Sequence, residues 1–331
     1  MLKINWKEDL SLKTVDVEKL RQGDAYDYLQ EHRTAGYTVE ELNEAANFEY
    51  RDCPCCFSSS FDHVHTKDGC DLVRCSSCNV VYVNPIFKSQ KYYEIYNADE
   101  YETVVQKVNH RSHAYRVERF GRERVEFFEK YHAPDLPKTY LDIGCNTGFV
   151  VEAAVASGWD AVGVELNKGA VSFARSRGLT IFDQPMENIN FDQQFSVISL
   201  FDVLEHLVEP KKIIDISRAL LAPKGMLYLY VPNLASASVD FLGYEDSHFI
   251  WPTHHLTYFT PPTLKSFIEK AGFELVFWET DGLDIIDVVW RFKRDGATDT
   301  EILANQADRI QKYINAAGHG KNLRMFFRKS N

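Results

Sequence analysis

The sequence predicts an α/β protein in which a seven-stranded, doubly wound sheet follows N-terminal helices and a small Cys-rich module. Three observations predict it. From residue 139 onward, strand-like apolar runs alternate with helical apolar patterns, the arrangement of a parallel sheet with helices on both faces. A glycine-bearing turn, Asp142-Ile143-Gly144-Cys145-Asn146-Thr147-Gly148-Phe149, joins the first of those strands to the first helix. Upstream, Cys53, Cys55, Cys56, Cys75 and Cys78 crowd one short stretch.

Composition narrows the class. A chain of 331 residues, 45% hydrophobic and 26% charged, is long enough for one large or two modest globular domains. The net charge of −11 is opposite in sign to that of most nucleic-acid-binding enzymes. The Arg-rich stretch at 111–124 is the one candidate for a basic stripe, and acidic residues interrupt it. Apolar runs such as 150–156 are far too short to span a bilayer, so no membrane association is expected. The opening residues lack the apolar core of a signal peptide. A cytoplasmic setting is expected, where thiols stay reduced and paired cysteines more often hold metal.

Taken in order, residues 1–48 read as an N-terminal helical segment with helices near 15–30 and 39–46, a cap or partner surface. Residues 49–96 hold the Cys-rich module. Residues 97–136 form a helical linker or substrate cap, with one long helix over 102–131 and a linker bearing Pro134 and Pro137. The domain at 137–331 carries strands at 139–143, 161–165, 179–182, 195–201, 225–231, 274–280 and 322–328. Helices fill the gaps at 148–157, 168–177, 210–221 and 262–271, the last opening behind Pro261 and Pro262 and closing at Gly272. An extra helix is expected over 299–317, and 232–260 reads as a long irregular connection of the kind that is usually functional.

The turn after the first strand is expected to bind a nucleoside. Gly144 and Gly148 let the chain turn sharply and approach a ligand, and the following helix aims its N-terminal N–H groups there. Glu165 stands 23 residues after Asp142 at the tip of the second strand, where a carboxylate accepts two ribose hydroxyls. A dinucleotide fingerprint would need further glycines where Asn146 and Phe149 stand, and no phosphate loop occurs. The pattern instead resembles the first motif of class I S-adenosylmethionine-dependent methyltransferases, with Asn146 at the middle glycine. The resemblance implies a Rossmann-like fold and S-adenosylmethionine as cofactor. It implies binding by Asp142, Gly144, Asn146, Gly148, Phe149, Glu165 and Leu166, with Met186 under the adenine and Phe201 and Asp202 beside the sulfonium.

Cys53 with Cys56, and Cys75 with Cys78, give two Cys-x2-Cys knuckles separated by 18 residues, the spacing of a structural zinc site. Cys55 could stand in for Cys53 or Cys56. Four thiolates leave the ion no open position, so a folding staple is expected rather than a catalyst. The stretch running on to Tyr82, Asn84 and Pro85 is similar to the zinc ribbon ahead of methyltransferase domains of sugar and natural-product biosynthesis.

Two more elements resemble this family: Phe201-Asp202-Val203-Leu204-Glu205-His206-Leu207, and His255-Leu256-Thr257-Tyr258-Phe259-Thr260 with an additional His254. If the acceptor is a hydroxyl, a base must take its proton, and His255, His254 and His206 are the candidates in that order. Asp202 or Glu205 contacts the methionine amino group or orients a histidine. A metal at His248, His254 and His255 fits no motif well. Arg111, Arg116 and Arg119 stand near the pocket mouth, either solvated or binding a substrate phosphate or carboxylate.

The expected activity is methylation of a small molecule, a hydroxyl of a sugar or other biosynthetic intermediate, with a nucleotide-linked or phosphorylated sugar as a candidate acceptor. C- or N-methylation of a nucleotide sugar or natural product is a variant of the same chemistry. RNA methylation through the ribbon is a second possibility, disfavoured by the acidic charge. A non-catalytic adenosine-binding module is a third. A homo-oligomer is compatible with the sequence.

Overall fold

A computed structural model describes residues 44–96 and 109–330, together with Lys19, Glu41 and Leu42. The helices expected over 15–30 and 39–46, and the start of that expected over 102–131, lie largely outside the described residues.

The Cys-rich module is a small sheet. A short strand β1 (Phe48–Glu49) leads into the first knuckle, and β2 (Phe61–Lys67) and β3 (Cys70–Cys75) form an antiparallel hairpin. The hairpin turns at Asp68 and Gly69, both at positive φ (51° and 74°), the two-residue turn that matches strand twist. β4 (Val81–Val83) pairs with β3, and β5 (Ile86–Phe87) pairs back on β1 before helix α1 (Ser89–Tyr96).

Helix α2 (Arg111–Arg116), a π-helical turn (Val117–Gly121) and α3 (Arg122–Tyr131) run on continuously. Gly121 is needed there: a Cβ would lie 2.7 Å from the carbonyl oxygen of Phe149.

The main domain then proceeds β6 (Thr139–Ile143), α4 (Phe149–Ala156), β7 (Asp160–Val164), α5 (Lys168–Ser176) and β8 (Ile181–Phe182). It continues with β9 (Phe195–Phe201), α6 (Pro210–Leu220), β10 (Leu221–Pro232) and α7 (Ala237–Asp246). The last part holds β11 (Thr257–Tyr258), α8 (Pro261–Lys270), β12 (Phe273–Asp281), α9 (Asp284–Arg294), α10 (Glu301–Asn305), α11 (Ala307–Ala316) and β13 (Asn322–Lys329).

Among the described residues one seven-stranded sheet has the order β12-β13-β10-β9-β6-β7-β8. From β8 to β10 neighbours pair in parallel, while β13 runs antiparallel to both β10 and β12. The expected seven-stranded, doubly wound sheet is present: the parallel arrangement runs from β8 to β10, and β13 makes the sheet mixed. The chain winds outward from β6 through β7 to β8, then returns to β9. The switch point between β6 and β9 opens a crevice at their carboxyl ends, where ligands of such sheets sit. Fully buried Leu141, Val197, Ile198, Leu200, Leu227 and Phe327 pack the sheet faces.

Three further corrections concern the second half. The connection at 232–260 contains α7, capped by the Ser236 side chain on the N–H of Val239. It also contains β11, which pairs with β4 and so becomes the fourth strand of the ribbon sheet. Helix α9 adds to the expected set; its buried Ile285, Val288 and Val289 follow helical spacing. The single helix expected at 299–317 is divided between α10 and α11.

Candidate active site

The glycine turn does what its residues require. Gly144, Asn146 and Gly148 take positive φ (71°, 49° and 75°), and a Cβ on Gly144 would lie 2.4 Å from Val203 Cγ2. Gly148 is the N-cap of α4, whose first residue is Phe149. The Glu165 carboxylate accepts three main-chain N–H groups, from Asn146 (2.8 Å), Leu166 (2.7 Å) and Asn167 (2.8 Å). Glu165 therefore clamps the turn after β6 to the tip of β7. Burial raises its pKa, and the three N–H groups oppose that rise. A carboxylate offers about four lone-pair sites, so acceptor capacity remains for a ligand hydroxyl. Leu166 is exposed beside it, on a groove also lined by Lys168, Val171, Arg175 and Asp183.

Asp142 lies beneath this cleft rather than in it. It is 2% exposed and accepts from Ser199 Oγ at 2.6 Å, which in turn meets the Tyr140 hydroxyl at 2.6 Å. Burial pushes its pKa up to about 7. Met186 opens a short 3-10 turn (Met186–Asn188) and its side chain is packed into the core.

At the end of β9, Phe201 packs edge-on against Tyr228, and Asp202 adopts φ 55°. Asp202 is open to solvent, yet the surrounding walls raise its pKa by desolvation while Arg124 and Arg116 pull it down. The Arg124 guanidinium lies 4.1 Å over the Phe201 ring. Arg116 receives support from Ser112 Oγ (2.8 Å), and burial beside Arg124 lowers its pKa to about 10. Among the described residues neither arginine has a carboxylate in ion-pair contact. The cleft thus presents a carboxylate and two cations side by side, a match for an amino acid's ammonium and carboxylate. From the sequence, Arg116 is expected at the mouth with the acceptor. The structure places it at the cleft floor beside Asp202, and Arg124 joins it.

The three histidines separate. His206, in a short 3-10 turn (Leu204–His206), holds the carbonyl of His254 through Nδ1 (2.9 Å), and burial lowers its pKa to about 4. His255 holds the carbonyl of Phe249 through Nδ1 (2.7 Å). The two rings stand edge to face with centroids 4.7 Å apart. His254 is buried, 2% exposed, stacked on Trp251 and bonded to Thr253, so its ring is part of the loop's core. His248 lies elsewhere, against Lys321 and Asp287. Glu205 is 2% exposed, and burial and the Asp202 charge push its pKa well above the usual carboxylate range.

In the ribbon, Sγ atoms of Cys53, Cys56, Cys75 and Cys78 all lie within 4.8 Å of one another, with Cys53–Cys78 and Cys56–Cys75 both at 3.5 Å. A tetrahedron of 2.3 Å zinc–sulfur bonds has edges of about 3.8 Å, so this donor set fits zinc. Both knuckles share one backbone: Phe57 and Asn79 return N–H groups to the carbonyls of Cys53 and Cys75, each at φ 61°. That equivalence pairs Cys53 with Cys56 and leaves Cys55 outside the group.

This sheet order, with its crevice at the β6–β9 switch point, is the class I methyltransferase fold. A family model described as "Methyltransferase domain" matches residues 110–276, half of the chain. The chain belongs to that family and is an S-adenosylmethionine-dependent methyltransferase. It is 26% identical over 164 residues to a ubiquinone biosynthesis O-methyltransferase of Bordetella avium, covering 46% of this chain and 68% of that one. Over 167 residues it is 26% identical to the protein of that name from Coxiella burnetii, covering 46% and 65%. Among solved structures, a chain of the complex between the Haloferax volcanii Trm112 methyltransferase activator and a methyltransferase aligns with TM-score 0.50 and 12% identity, over 70% of this chain and 97% of that one. Among the described residues no helix is long and apolar enough to cross a membrane.

Proposed function

We propose that this enzyme transfers the methyl group of S-adenosylmethionine to a hydroxyl of a small biosynthetic molecule, a sugar or comparable intermediate, and that zinc staples its ribbon. The carrying observation is the Glu165 clamp, which leaves acceptor capacity for a ribose hydroxyl at the tip of β7, while the Asp202 carboxylate follows the end of β9. In this arrangement Glu165 receives one ribose hydroxyl on its remaining lone pair. Asp202 takes the methionine ammonium, and Arg116 its carboxylate. The bound sulfonium supplies an activated methyl group, so the chain's own task is alignment and exclusion of water. The acceptor enters from the side of His206 and His255, where its hydroxyl proton is removed. The O-methyltransferase names of the relatives support a hydroxyl acceptor, and the charge of −11 supports a small molecule over RNA.

Calorimetry tests the cofactor site: Glu165→Ala should weaken S-adenosylmethionine binding by at least roughly tenfold, the loss of one charge-assisted hydrogen bond. Unchanged affinity refutes the site. Labelled methyl transfer onto a panel of nucleotide sugars, phenols and RNA tests the acceptor class; transfer to RNA alone refutes it.

A further inference from the structure

We propose that Glu205, His206 and His255 form a second metal site, distinct from the four-cysteine ribbon, that binds one divalent transition-metal cation at the floor of the acceptor side of the cleft. One donor atom from each residue lies within 4.8 Å of the other two, with His206 Nε2 3.9 Å from Glu205 Oε1. In both histidines Nδ1 faces a main-chain carbonyl, of His254 and of Phe249. A carbonyl only accepts, so each Nδ1 carries the proton and each Nε2 is the lone-pair nitrogen. This is the tautomer that metal-binding histidines adopt when an outer carbonyl orients them.

Glu205 points to a ligand independently. It is 2% exposed, and neither carboxylate oxygen has a hydrogen-bond partner among the described residues. A buried carboxylate without donors is costly, and nearly all buried polar groups in proteins are satisfied. Its main chain is firmly held, since its carbonyl accepts from Leu256 N–H at 2.7 Å, so the side chain's position is set by ordered backbone. Two imidazoles and one carboxylate suit zinc, cobalt or iron rather than calcium or magnesium. His206 and His255 are only partly buried, so the remaining coordination positions face the cleft, unlike the closed ribbon site.

The ion's use rests on the methyl-transfer function proposed above. An acceptor hydroxyl completing the coordination becomes more acidic, so the proton leaves more readily for solvent. Metal binding itself does not depend on that function.

The test is Co²⁺ added to zinc-replete enzyme and followed by calorimetry and absorption. One equivalent should bind with weak visible bands and without the near-ultraviolet thiolate charge-transfer band that exchange into the ribbon would produce. Glu205→Gln and His255→Gln should each weaken that equivalent by at least roughly tenfold, while S-adenosylmethionine affinity, measured on the same samples, stays within about twofold and certifies the fold. Absence of the equivalent in wild type overturns the proposal. So does unchanged Co²⁺ affinity in both variants. Should Glu165→Ala retain full cofactor affinity while Co²⁺ still binds, the methyl-transfer geometry fails and the metal site stands.

Discussion

Arg51 offers the sharpest test of how the ribbon serves the catalytic cleft. Its guanidinium donates from Nε to the carbonyl of Val83 (3.3 Å), from Nη1 to that of Val208 (3.0 Å) and from Nη2 to that of Leu256 (3.0 Å). One side chain therefore ties ribbon strand β4 to the segment after His206 and to the one after His255. Leu256 is shared with Val83 N–H, so truncation strips the charged donor from Val83 and Val208 while Leu256 keeps a partner. Hydrogen bonds from charged groups contribute about 1.5–3 kcal/mol each, so Arg51→Leu, which removes two that nothing replaces, should cost about 3–6 kcal/mol, concentrated on these loops. Displacing a reacting group by about 1 Å can cost roughly a hundredfold in rate. We expect kcat to fall by about 30- to 100-fold, with S-adenosylmethionine affinity within about twofold because Glu165 and the glycine turn make no contact with Arg51. Lysine, a point donor in place of a fork, should recover only part of the rate. Single-turnover methyl transfer and calorimetry measure the two quantities. The reasoning is refuted if kcat holds while the protein loses stability, or if cofactor affinity falls in step with rate.

At the cofactor end, Arg116→Ala should weaken S-adenosylmethionine by about 1.5–3 kcal/mol but leave binding of methylthioadenosine, which lacks the amino-acid end, unchanged; equal losses would remove Arg116 from the carboxylate. Asp142 has a pKa near 7 in the fold against 3.8 ordinarily, so the folded state keeps a proton the unfolded chain releases, and wild-type stability should decline as pH rises through that window. The ceiling is about 4 kcal/mol, and denaturant curves for Asp142→Asn should lack that decline; parallel pH profiles would contradict it. Arg324 is 5% exposed and pairs with Glu279 (2.6 Å), Glu123 (2.8 Å) and Asp281 (3.0 Å), so Arg324→Gln, by leaving buried carboxylates uncompensated, should lower unfolding free energy by about 3–5 kcal/mol in urea.

Local signals reach most of the sheet and the turn and strand tip that border the cleft. Strands expected at 139–143 and 195–201 agree residue for residue with β6 and β9, because an apolar run between turn residues is a self-contained cue. Gly144, Gly148 and Glu165 are legible because a turn and a strand tip are local features. Asp142 and Met186 are equally visible, yet their burial depends on Ser199 and on core packing far along the chain. The reversal of β13 is hidden for the same reason: direction in a sheet is a property of partners, not of the strand's own pattern. Helix α9 carries a readable cue in Ile285, Val288 and Val289, and its buried Asp284 and Asp287 disguise it as polar loop.

The acceptor side is the hardest to read, and the hydrogen bonds explain why. Residues 247–260 have no sustained period of their own. From Leu256 to Phe259 the main chain is satisfied from outside: Leu256 carbonyl by Val83 N–H, Leu256 N–H by the Glu205 carbonyl, Thr257 and Tyr258 by β4, and Phe259 carbonyl by Leu234 N–H. A segment whose partners all lie in other elements takes whatever shape those elements impose. The ribbon is therefore not an appendage that happens to precede a catalytic domain. Its sheet is incomplete without β11, and β11 begins two residues after His255, so the ribbon's own pairing also anchors the segment that carries that ring. A four-thiolate zinc that takes no part in chemistry would still decide how firmly His206 and His255 are held. Changes in the ribbon should consequently alter acceptor turnover before they alter cofactor binding.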